Sequence, residues 1–166
     1  GYLNAAASAG IPLPVAQKTA ENWSNAQYES HAQLAMINAR STGDLPALRQ
    51  LQTDLTSPDG FYANKMAPAQ RNQVLSGTVS QIGALENQMD AEQQARENAA
   101  SDAASQLQKM NEDGHRASQD FATQVRKATQ GTSMEAQGEA LIAANANGAR
   151  FAGQPVQGMR ASLAQD

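Results

Sequence analysis

At 166 residues the chain is long enough for a single domain with a modest core, and 33 alanines supply about half of its apolar content while aromatics make up only 4%. Burial at roughly 25 cal/mol per Å² therefore stabilises it less, residue for residue, than a leucine-rich protein. A net charge of −4 with twelve dispersed Lys and Arg excludes the basic stripe of a nucleic-acid binder, and zero cysteines exclude disulfides, thiolate metal sites and cysteine nucleophiles.

Twenty glutamines beside the alanines, with few β-branched residues, point to an all-α fold. No apolar run reaches the eighteen or so residues of a membrane span, so no transmembrane segment is expected.

The chain opens on "AAASAGIPLPV" (Ala5 to Val15). Ala7-Ser8-Ala9 has the small-residue pattern of a signal-peptidase site, which would make Gly10 the first mature residue, yet no hydrophobic region precedes it in these nine residues. Residues 1–13 read as an extended N-terminal arm, with Ile11 and Leu13 as candidate partner contacts. Pro14 suits the first turn of a helix, where its missing N–H costs nothing, and that helix is predicted over 14–41. Its inward stripe reads Ala16, Ala20, Trp23, Gln27, Ser30, Leu34 and Ile37, in alternating steps of four and three. Trp23, the only tryptophan, is expected in the core.

Residues 43–68 interrupt this regularity. Asp44 can cap a short helix with Pro46 in its first turn, Leu45, Leu48, Leu51 and Leu55 share a face, and "SPDG" then makes a turn. This segment reads as a small helical appendage. Phe61 and Tyr62 follow the turn, either as an exposed recognition patch or as a local core, and both are candidate partner contacts.

From Pro68 to Thr129 there is no proline, and an unbroken helix of that span would be on the order of 90 Å long. Its stripe runs through Leu75, Val79, Ile82, Leu85 and Met89, narrows to Ala95, Ala99 and Ala103, and recovers with Leu107, Met110, Ala117, Phe121 and Val125. The period holds across "NEDGH" (Asn111 to His115), so the helix is expected to continue through Gly114. Gly131 suits a C-terminal cap, and Thr132 with Glu135 has the spacing of a capping box for a third helix bearing Met134, Leu141 and Phe151. Gly153 and Pro155 are expected to end it, leaving a short helix or frayed tail. The expected architecture is an elongated three-helix bundle, residues 14–166 forming one domain with the appendage between helices 1 and 2.

No catalytic constellation is present. His31 and His115 lack metal-ligand spacing and read as exposed surface histidines. Ser57, Ser76, Ser101 and Ser118 sit in no nucleophile elbow. Glu86, Asp90, Glu92 and Glu97 read as a solvated helix face rather than an acid–base pair.

The order of "GIPLPV", a Gln/Ala-rich helix containing "AQLAMINARSTGD", a helical insertion, a long helix and a final "GTSMEAQGEALIAANANGARFAGQ" resembles the VirB5/TrbJ-type minor pilus proteins of type IV secretion (conjugation) systems. Members begin their mature chain with Gly-Ile-Pro-Val or a close variant, and Gly10-Ile11-Pro12-Leu13 departs by one aliphatic residue. The resemblance implies an exported, non-enzymatic protein of the periplasm or extracellular pilus. It would be a three-helix bundle with an appendage, placed at the pilus tip for assembly or recipient contact. Its implied partners are other subunits of the pilus or secretion assembly and a recipient-cell surface, with no cofactor. Two other helical rods compete with it: a bacteriophage internal or DNA-ejection protein of the virion, using its alanine-only stretch and termini for oligomerisation, and a secretion-system translocator or tip protein.

Overall fold

A computed structural model describes residues 1–152, and the expected helix end at Gly153 and Pro155 and the tail beyond lie outside the described residues. The fold is all-α. Six helices and no strand occur among the described residues: α1 (Tyr2–Ser8), α2 (Leu13–Thr42), α3 (Leu45–Thr56), α4 (Pro68–Glu112), α5 (Gln119–Thr129) and α6 (Glu135–Ala152). The chain divides into two compact units where one was expected, the first Gly1–Met89 and the second beginning at Asp90.

In the first unit, α2 starts on Pro12 with Pro14 in its first turn and stops at Gly43, whose φ of 67° places it in the left-handed region. The amides of Gly43 and Asp44 then cap the carbonyls of Arg40 and Ala39. Asp44 hands the chain directly to α3, its Oδ1 accepting from Ala47 N at 2.9 Å. The segment expected as an appendage is instead the centre of this unit. Leu51 and Leu55 pack with Ala32, Tyr62, Met66 and Val74, and Leu48 packs with Ala39, Ile82 and Leu85. Three buried leucines at about 1.5–3 kcal/mol each outweigh anything the alanine faces around them can contribute.

The buried side of α2 is Tyr28, Ala32, Ala35, Met36 and Ala39. The predicted stripe agrees at Ala16 and Ala20 and then turns away from it, because the true register continues in steps of four (Ala20, Ser24, Tyr28, Ala32) where a step of three was assumed. Trp23, expected in the core, is accordingly 68% exposed. A similar one-residue shift occurs on α4, where Val74, Thr78, Ile82 and Leu85 are buried and Val79 and Met89 are exposed. Thr78 is tolerated there because its hydroxyl donates back to Val74 O at 2.9 Å. Residues 2–8, expected to be extended, form α1, with Ala6 buried.

In the second unit the long helix does not continue through "NEDGH". Gly114 adopts φ +70°, and His115 N donates to Met110 O at 2.8 Å, closing the end of α4. The reversal that follows is held by Asn145 of α6, whose Oδ1 accepts from Ala117 N at 2.9 Å and whose Nδ2 donates to His115 O at 2.9 Å and to Asn111 Oδ1. These bonds satisfy backbone groups that an unbroken helix would have paired internally, which is why hydrophobic period alone did not decide the matter. Ser118 then caps α5 by accepting from Phe121 N at 3.1 Å. Ala100, Ala104, Leu107, Val125 and Thr129 are buried.

Between α5 and α6, Gly131 has φ +73° and Glu135 reaches back to Gly131 N at 2.9 Å, one residue beyond the amide that the capping-box spacing assigns to it. Thr132 Oγ1 accepts from Met134 N at 3.2 Å. Glu97 of α4 secures this corner by accepting from both the amide and the hydroxyl of Ser133, which together hold its carboxyl below the ordinary value of 4.5. Arg126 does the same for Glu139 through a bidentate pair.

Leu48→Ala is expected to lower the stability of the chain by about 2–5 kcal/mol in urea unfolding followed by circular dichroism, whereas Trp23→Ala changes it by less than about 0.5 kcal/mol. Comparable losses for both would contradict the placement of α3 at the centre. The acid limb offers a second test. Both Glu97 and Glu139 have folded values lowered from 4.5, so their stabilisation is fully present above that pH and is lost as pH falls through the lowered values. The gap in urea midpoint between the native chain and Glu97→Gln should therefore shrink as pH drops below 4.5, and a gap constant with pH would count against the Ser133 contact.

Candidate contact surface

The residues that could meet a partner are set by which side chains the leucine-centred core leaves outside. Every large apolar side chain found exposed among the described residues belongs to the first unit: Tyr2 and Leu3 on α1, Ile11 before α2, Leu13, Val15, Trp23, Leu34 and Ile37 on α2, Phe61 in the turn, and Val79 and Met89 on α4. Single exposed apolar side chains are ordinary on a protein surface, and only those that cluster mark a candidate contact.

Of the four residues singled out from the sequence, Ile11, Leu13 and Phe61 are exposed, but Tyr62 is only 2% exposed. The turn explains this division. Gly60 sits against the backbone of Asp54, so close that a Cβ there would collide with the Asp54 carbonyl, and Tyr62 N donates to Asp54 O at 3.3 Å. That closure swings Tyr62 into the core beside Leu51 and Leu55 and leaves Phe61 outside. Tyr62 is therefore withdrawn from the candidate contacts.

Around Phe61 the structure assembles an aromatic platform. Its ring meets Tyr62 edge-on at 4.9 Å and Tyr28 at 6.1 Å, and Lys65 Nζ lies 3.5 Å from its centroid. A cation over a ring at an exposed site contributes about 0.5–1 kcal/mol, enough to bias the lysine toward the ring while leaving it accessible. His31, read as a plain surface histidine, shares a 2.7 Å hydrogen bond with the Tyr62 hydroxyl. Burial, and then the charge of Asp54, raise the Tyr62 hydroxyl above its ordinary value of 10.0, so it remains a neutral phenol across the physiological range and acts as a hydrogen-bonding group.

The second element is the outer face of α2, which the sequence reading assigned to the core. Trp23, Gln27, Ser30, Leu34 and Ile37 are all exposed there. Beside them, Tyr2, Thr19, Ala20, Trp23 and Ser24 line an apolar groove of about 450 Å³. The signal that would have found this face is the size of the residues opposite it: Ala32, Ala35 and Ala39 suit close helix approach, and a tryptophan does not.

Among the described residues no group of three or more His, Cys, Asp or Glu is placed to hold a metal ion, and no helix is long and apolar enough to cross a membrane. Two acidic residues of α4 pair with the chain itself, Glu86 with Arg49 at 2.6 Å and Glu97 with Ser133.

Because Trp23 is the only tryptophan, its emission reports this face without ambiguity. In dilute solution the folded protein is expected to emit close to the wavelength of free tryptophan in water and to be quenched almost as readily by acrylamide as the unfolded chain. A blue-shifted, protected emission under those conditions would place Trp23 back in the core. No family model matches this chain, and no curated protein or solved structure matches it either.

Proposed function

We infer that this chain is a non-enzymatic assembly subunit that works by presenting the first unit's apolar surface to other proteins. We further assign it to the minor components of a type IV secretion pilus, in assembly or recipient contact, on the periplasmic or extracellular side. The observation that carries the reading is that the large apolar side chains found exposed among the described residues, from Tyr2 to Met89, lie in the first unit. The order of sequence segments, from "GIPLPV" through the helical insertion to the Ala/Gln-rich end, supports the pilus assignment. The virion alternative drew on the alanine-only stretch of α4 as an oligomerisation seam. Of the alanines in that stretch, Ala95 and Ala99 are exposed and Ala103 is half-buried, so the pilus reading rests on the order of segments and not on this stripe.

The test is location together with surface chemistry. In cells producing the native protein, filaments sheared from the surface should contain it together with the major pilus subunit, and a Phe61→Glu variant should reach the surface fraction poorly or fail to support transfer. Recovery of the protein only from phage particles, or only from the cytoplasmic fraction, would overturn the pilus assignment.

A further inference from the structure

The aromatic corner of the first unit already holds a cation. Lys65 Nζ lies 3.5 Å from the ring centroid of Phe61 and 5.6 Å from that of Tyr28, both inside the roughly 6 Å over which a cation is drawn to a ring face. The two rings meet at 68° with their centroids 6.1 Å apart, so they make two walls of a box. The turn after α3 fixes those walls. Tyr62 and Met66 are buried in the core, Phe61 and Lys65 each precede one of them, and Arg71 Nη1 holds the intervening backbone by donating to Ala63 O at 3.2 Å. Phe61 is 47% exposed, yet Tyr28, Tyr62 and His31 all stand against its ring and keep one face turned to the lysine.

A cavity of about 390 Å³ adjoins this corner, lined by Glu21, Ser24 and Asn25 of α2 and by Asn64 and Lys65 of the turn. Glu21, Asn25 and Tyr28 recur at steps of four and three, so one face of α2 serves both the cavity and the box. Lys65 lines the cavity and also touches both rings, so its side chain stands where the two meet.

We propose that the Tyr28–Phe61 corner is a binding site for a small quaternary ammonium compound of the choline class, and that Lys65 is the internal cation such a ligand displaces. The chemistry separates the two cations. A primary ammonium carries three N–H donors and a tight hydration shell, and a ring face gives it no lone pair to replace that water. A trimethylammonium group has no donor to satisfy and lays its methyl groups against both rings. Its hydroxyl end then faces the Ser24, Asn25 and Asn64 side of the cavity, and the released Lys65 has the Glu21 carboxylate on the same cavity wall as its counter-charge. The contact that Lys65 gives up is weak, so it lowers the ligand's affinity only about two- to fivefold. Two walls hold a ligand less firmly than a closed cage, and the Kd for choline is on the order of a few millimolar. This inference stands apart from the pilus assignment, and either can fail alone.

Choline titrated into the full chain to about 50 mM, followed by proton–carbon NMR, tests it. The methylene protons beside the Lys65 ammonium, held against the Phe61 ring, are expected upfield of those of a free lysine and should return toward the free position saturably as choline binds. Tetramethylammonium should do the same, and sodium chloride at equal concentration should not. Phe61→Leu keeps an exposed apolar residue at that position and should leave helicity unchanged while weakening binding more than about tenfold. Lys65→Gln, read on the Phe61 ring protons, should tighten it about two- to fivefold. Phosphatidylcholine vesicles identify the source of the group: sedimentation of the chain with them, lost in Phe61→Leu, assigns it to a lipid headgroup, and choline binding without it assigns a free ligand. Shifts that never saturate, equal shifts with sodium chloride, unchanged affinity in Phe61→Leu, or no tightening in Lys65→Gln would overturn the proposal.

Discussion

Leu48, Leu51 and Leu55 form the one dense run of large aliphatic side chains in a protein whose apolar content is otherwise mostly alanine, and they all lie on a twelve-residue helix. Once α3 inserts them between α2 and the first half of α4, the inward face of α2 must be small for its backbone to come close. Ala32, Ala35 and Ala39 meet that requirement. Tyr28 and Met36 pack on the same side beside these alanines, while Trp23, Leu34 and Ile37 fall on the outer side and stay exposed.

How much of this could be read from the sequence depended on whether the signal was local. The Asp44 cap with Pro46, the Gly131 corner and the approximate bounds of α2 rest on interactions within four or five residues, and all stand where expected. The face of α2 did not, because two stripes with helical period exist on it and the stripe with larger residues is the outer one. The break at Gly114 was equally hidden, since Met110, Ala117 and Phe121 keep the helical period while the decisive partner, Asn145, lies far along the chain. Treating residues 43–68 as an appendage failed for a related reason. Three leucines on a short helix state that something is buried, not that they are the centre around which other elements gather.

The candidate surface was legible in part. Phe61 and Tyr62 were recognisable as a pair by their position after "SPDG", but adjacent residues in a tight turn point apart, and only the closure of Gly60 against Asp54 decides which goes inward. The result is a division of labour between neighbours. Tyr62 ties the turn to α2 through His31, while Phe61, steadied by Lys65, remains available at the surface. The second unit differs in kind: it joins its helices through polar side chains, Asn145 to the loop after α4, Glu97 to Ser133 and Arg126 to Glu139.

The dependence of the α4 end on Asn145 also has a bearing on how the chain is made. The amide of Ala117 and the carbonyl of His115 find their partner 28 and 30 residues downstream. While the ribosome is still working through α5, those groups have only water to bond, and the reversal after Gly114 is free to open or to re-form as helix. The second unit thus acquires its connection geometry late, when α6 emerges, whereas α2 and α3 already carry their own caps at the moment they are synthesised.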